Sequence, residues 1–167
     1  MNRRHLTGIF LGAMLPFMLL AASTGHAQEK ASGTVNFKTW SGALKFAWMV
    51  RSPDEQDASK SILRIYLSSA DIGAKIKACT TLSCADRALE DGAMVDFSDA
   101  RHLGYAVRLN GQRAQYSGGT DGGAFKLSIN KHDHLAGKLH IDDISAGGAK
   151  VDAEFDLMLT NTFKTVR

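Results

Sequence analysis

The chain has 167 residues, 44% of them hydrophobic and 22% charged, with 20 Lys and Arg against 17 Asp and Glu. The formal charge of +3 falls to +1 once Arg3 and Arg4 are discounted with the leader described next, which excludes a nucleic-acid binder working by bulk positive charge. The apolar share and the interspersed charges exclude an acidic disordered chain.

The N-terminus reads as a cleavable export signal. Arg3 and Arg4 form a short basic start, Gly8 to Ala22 is apolar and uncharged, and Ser23 to Ala27 ends in Gly-x-Ala. Cleavage is expected after Ala27. This divides the chain into a signal peptide, 1–27, and a single domain, 28–167. A transmembrane anchor is the competing reading, because the uncharged run from Leu6 to Gln28 is long enough to span. Pro16 and the small polar residues after Ala22 favour removal. Asn2-Arg3-Arg4-His5-Leu6 also touches the twin-arginine pattern. The expected location is therefore the periplasm or the extracellular space, with no stable membrane insertion after cleavage.

After a loose start at Gln28–Ser32, the dominant period is two, the signature of strands. About nine are expected, near 34–40, 43–51, 62–68, 93–98, 103–109, 112–117, 123–130, 135–142 and 150–160. In the second, Leu44, Phe46, Trp48 and Val50 are expected on one face. In the third, Leu63, Ile65 and Leu67 face inward and Tyr66 outward. In the last, Val151, Ala153, Phe155 and Leu157 oppose Asp152, Glu154 and Asp156. Asn110-Gly111 is the strongest hairpin signal, since a type I′ turn needs positive φ at both central residues. Ser52–Lys60 reads as a polar loop. The helical period appears only near 72–91, as short turns at Ile72–Ala78 and Ala85–Asp91, with Ser83 as cap of the second. Cys79 and Cys84, the only cysteines, flank that break and read as a disulfide in an oxidising compartment. The expected fold is all-β, an antiparallel β-sandwich, with a closed β-barrel as the alternative.

Leu44–Arg51 (LKFAWMVR), Ile62–Ile72 (ILRIYLSSADI) and Gly137–Leu159 (GKLHIDDISAGGAKVDAEFDLML) resemble a group of small exported bacterial proteins. That group has a leading aliphatic strand, a short helical insert and a closing hairpin. The resemblance implies a β-sandwich with no assigned activity, and it carries over no catalytic residue. The cysteine pair has no place in that pattern.

Candidate chemistry is sparse. His132 and His134, flanking Asp133 in a turn, are ligand types for zinc or copper, set against a plain solvated turn. His140 lies six residues of strand further on, about 20 Å, too far to share that site. Asp142 and Asp143 offer oxygens for calcium, but no spaced calcium loop is present. Asp152, Glu154 and Asp156 alternate along one strand and read as a solvated stripe. There is no Gly-x-Ser-x-Gly elbow, and the glycine run at 118–123 lacks phosphate-loop spacing. Ser117, Thr120 and Asp121, at that long hairpin tip, are candidates for insertion into a partner's cleft. Trp40 and Tyr66 are candidate surface aromatics, whereas Trp48 belongs to the core. No catalytic constellation and no cofactor are expected. The sequence points to a non-enzymatic exported module that binds a protein or envelope component and no nucleic acid. The alternatives are a periplasmic metal-binding protein using His132 and His134, or a loop-mediated inhibitor of a hydrolase.

Overall fold

Alternating apolar residues build strands through most of the chain. The computed structural model describes residues 30–97, 102–110, 112–119 and 123–167. The leader at 1–27, and with it the export expectation, lies outside them. The strands are β1 (Lys30–Phe37), β2 (Trp40–Pro53), β3 (Ser61–Ser68), β4 (Gly92–Phe97), β5 (His102–Leu109), β6 (Gln112–Gly119), β7 (Phe125–Lys131), β8 (His134–Asp142) and β9 (Lys150–Thr162). Two short helices, α1 (Gly73–Ala78) and α2 (Leu82–Ala88), connect β3 to β4. The helical insert is thus where the period breaks. The expected loose start is already strand from Lys30, with Ala31 opposite Phe155 and Ser32 opposite Glu154.

All nine strands belong to one sheet, ordered β6-β5-β4-β3-β2-β1-β9-β8-β7, with antiparallel neighbours throughout. The far end of β9 also runs parallel to β2, pairing Met49 with Leu159. Among the described residues β6 and β7 are not paired, so the alternative of a closed barrel is not formed. The two layers expected of a sandwich are halves of a single sheet doubled over. Phe97 of β4 meets Phe125 of β7 edge to face at 5.1 Å, and the Tyr105 hydroxyl of β5 accepts from the Ala149 amide at 3.0 Å.

Between the halves lies an inner core that includes Val35, Leu44, Met49, Ile65, Val95, Val107, Leu135, Leu139, Val151, Phe155 and Leu157. Each such side chain contributes about 1.5–3 kcal/mol when fully buried. A second core sits on the outer face, where Trp48, Val50, Tyr66 and Met94 of the sheet meet Ile76, Leu82 and Leu89 of the helical insert and Phe163 of the C-terminal tail. The expected single apolar face of β2 is therefore divided. Leu44 joins the inner core, and Phe46, Trp48 and Val50 turn to the outer one. The β1–β2 register shifts between Lys30 and Gly33 alongside this crossover, and a one-residue slip exchanges the two faces of a strand.

Local chemistry fixes the insert. Thr81, not Ser83, caps α2: its hydroxyl accepts from the Cys84 amide at 3.3 Å. The helix begins earlier than expected because the tail supplies acceptors for its first amides. Leu82 and Ser83 donate to the carbonyls of Thr165 and Val166 at 3.3 and 2.9 Å. The expected disulfide is present, joining Cys79 at the end of α1 to Cys84 in the first turn of α2, with Cα atoms 5.6 Å apart. Gly92 opens β4 at φ +149°, where a Cβ would fall 1.9 Å from the Leu67 carbonyl oxygen.

Candidate functional site

Among the described residues the outer face of the sheet is covered over β2–β5 and bare over β7, β8, β1 and all of β9 but its C-terminal end, and the two halves carry different chemistry. Under the cover, Arg64 projects from β3 and is almost fully buried. It grips Asp96 with two bonds, Nε to Oδ1 at 2.6 Å and Nη2 to Oδ2 at 2.8 Å. It also donates to both oxygens of Asp86 on α2, at 3.0 and 2.9 Å, and to Glu55 of the 54–60 loop at 2.9 Å. The Tyr66 hydroxyl donates to Asp86 at 2.7 Å.

One guanidinium thus ties β3, β4, α2 and a loop together through three carboxylates. Burial alone would lower its pKa, but the hydrogen bond and charge of Asp96 and the charge of Asp86 outweigh that and hold it up. Burial, then the charge of Asp86, pushes the Tyr66 hydroxyl up, in keeping with its donation to Asp86. Burial also raises the Asp96 carboxyl, against the pull of Arg64 and helped by the charges of Glu55 and Asp86. Every member is engaged with another. The arrangement is a clamp under the helices.

The bare half is a ladder of charge. Across β8 and β9, His134 pairs with Asp156, Lys138 with Glu154 at 3.4 Å, His140 with Asp152, and Lys150 with Asp142 at 3.5 Å. The three acids of β9 are the solvated stripe that alternation predicts. Beside them runs an open groove of about 860 Å³, crossing all four strands. Its low floor is Ala136 and Gly137. Gly137 sits at φ +152°, and a Cβ there would fall 2.3 Å from the Lys126 carbonyl oxygen. Ser128 is the extra residue of the adjoining β7 bulge, and its hydroxyl donates to the Ala136 carbonyl at 3.2 Å. Lys126 stands directly opposite Lys138, a like-charge pair, and Lys30 and Ser32 close the β1 side. Among the described residues neither Lys30 nor Lys126 has an ion-pair partner.

Among the described residues, those singled out from sequence do not converge. His132 is exposed, 3.6 Å from Asp133, while His134 reaches across to Asp156. Among the described residues no three metal-ligand side chains cluster, so the two histidines have no third partner for a site. Asp142 is engaged by Lys150. Trp40 is half-buried against the inner core. Tyr66 is fully buried, a correction to its expected exposure: it points away from the inner core as alternation requires, but α2 covers that side. Ser117 falls in β6 with its side chain outside the described residues, as are Thr120 and Asp121 entirely. The Arg64 clamp was missed. Its one signal was an arginine between apolar neighbours on a strand that precedes the helical insert. Comparison with known proteins adds no relative: no family model, curated protein or solved structure matches the chain.

Proposed function

We propose that this chain is an exported, non-enzymatic binding module of the cell envelope or exterior, and that its working surface is the groove on the bare half of the sheet. The observation that carries the reading is the contrast in how polar side chains are used. Under the helices Arg64, Tyr66, Asp86 and Asp96 are tied to one another in the clamp, whereas the groove presents Lys30 and Lys126, which have no ion-pair partner among the described residues, beside the exposed Lys138–Glu154 pair, around a floor of small residues. Binding sites combine a depression with a few convergent polar groups. The disulfide fits export into an oxidising compartment, as does the absence, among the described residues, of a helix long and apolar enough to cross a membrane.

The test is blockade. Ser32→Trp and Ser128→Trp fill the groove from two exposed positions. The reading expects the doubly substituted chain, folded by circular dichroism, to lose whatever the unsubstituted chain retains from envelope extract. Full retention by the blocked chain contradicts it.

A further inference from the structure

Resting on that reading, we infer that the groove takes a phosphorylated sugar or polyol, an elongated ligand with anionic groups toward its two ends and hydroxyls between. The order of charges across the sheet carries this. At one side Lys126 stands opposite Lys138, and Lys138 in turn is paired with Glu154. At the other stands Lys30, on β1. Three strand spacings separate β7 from β1, about 14 Å. Between these poles, on β9, lie Glu154 and Asp156, while the hydroxyls of Ser128 and Ser32 stand on β7 and β1, beside the lysine at each end.

A uniformly anionic ligand would meet repulsion from those two carboxylates. A neutral one would leave Lys126 and Lys30, which have no ion-pair partner among the described residues, uncompensated. Hydroxyl groups in the middle donate to Glu154 and Asp156, while phosphate oxygens at the ends meet ammonium groups, with the Ser32 hydroxyl beside Lys30. The groove offers lysines and no arginine fork. Lysine binds phosphate as a point charge, which asks for no fixed fork geometry. Such a group is carried by a free sugar phosphate or by a glycolipid or inositol lipid headgroup, and the chemistry of recognition is shared.

The test uses chain purified from the envelope of expressing cells, with its disulfide intact, titrated calorimetrically with fructose 1,6-bisphosphate. Binding is expected, with Lys30→Ala and Lys126→Ala each weakening it about tenfold, a charge-assisted bond apiece. Fructose alone is expected to give no heat, and tripolyphosphate, which lacks hydroxyls, to bind at least tenfold more weakly. Vesicles containing phosphatidylinositol 4-phosphate separate the sources. Retention on them, released by Lys126→Ala, assigns a lipid headgroup, and binding of the soluble bisphosphate alone assigns a free ligand. No heat with millimolar bisphosphate together with no vesicle retention overturns the inference. So does bisphosphate binding unchanged in the double lysine variant. Both results leave the groove reading standing if the tryptophan variants still abolish capture. Capture that survives the tryptophans fails the reading itself.

Discussion

The two halves of the outer face are made by the same sheet and differ only in what alternation places on that side. Over β2–β5 it places Trp48, Val50, Tyr66 and Met94, and the helical insert and C-terminal tail come down on them. Over β7, β8, β9 and β1 it places Lys126, Ser128, Lys138, Glu154, Asp156 and Ser32, and nothing covers them among the described residues. Apolar outer residues recruit a second layer because burying them is favourable. Paired charges in water gain little from burial and are left wet. The polar groups follow the same division. Arg64 under the cover must be fully paired, because an unpaired buried charge is expensive, and its three carboxylates meet that need.

The contrast is broken most severely at Arg64. Arg64→Met leaves Glu55, Asp86 and Asp96 facing one another under α2. It should lower stability by about 3–5 kcal/mol in urea unfolding, the range for removing one partner of a buried ionic cluster. Phe163→Ala comes next. It opens the outer core beneath the tail and should cost about 3 kcal/mol, and near-ultraviolet circular dichroism should lose signal from the neighbouring Trp48. Replacing both Cys79 and Cys84 with Ser should cost about 2 kcal/mol, the chain-entropy value for so short a loop, and should loosen the insert while sparing the inner core.

On the bare half, Lys126→Ala should change stability by no more than about 0.5 kcal/mol, as surface substitutions do, while reducing ligand retention. The smallest effect is at the exposed Lys75–Glu90 pair. The hydrogen bond and then the charge of Lys75 hold the Glu90 carboxyl below its ordinary value. A lowered folded-state pKa gives stability that is present above 4.5 and lost as pH falls through the lowered value. The slight advantage over Glu90→Gln should therefore be constant near neutrality and vanish in acid, as read from melting temperatures across pH.

The bare half was legible because its strands have one wet face and one dry face. The β9 acids, the hairpin joints and the inner residues of β8 and β9 all follow period two, and each stands where that period puts it. The covered half was only partly legible. Alternation correctly turns Arg64 and Tyr66 away from the inner core, but whether that side meets water depends on α2 and the 54–60 loop, whose docking no strand pattern encodes. The start of α2 escaped for a similar reason: its first amides are satisfied by Thr165 and Val166, some eighty residues away along the chain. The groove depends on a bulge and on Gly137, and neither marks itself as a binding feature in a sequence rich in glycine.

The division between a structural face and a working face is tested most directly by placing p-benzoylphenylalanine at Ser128, in the groove, and separately at Lys77, exposed on the helical cover, and irradiating cells that export the chain. The account predicts a crosslinked adduct from position 128 and none from position 77. An adduct from 77 with none from 128, or from neither, contradicts it.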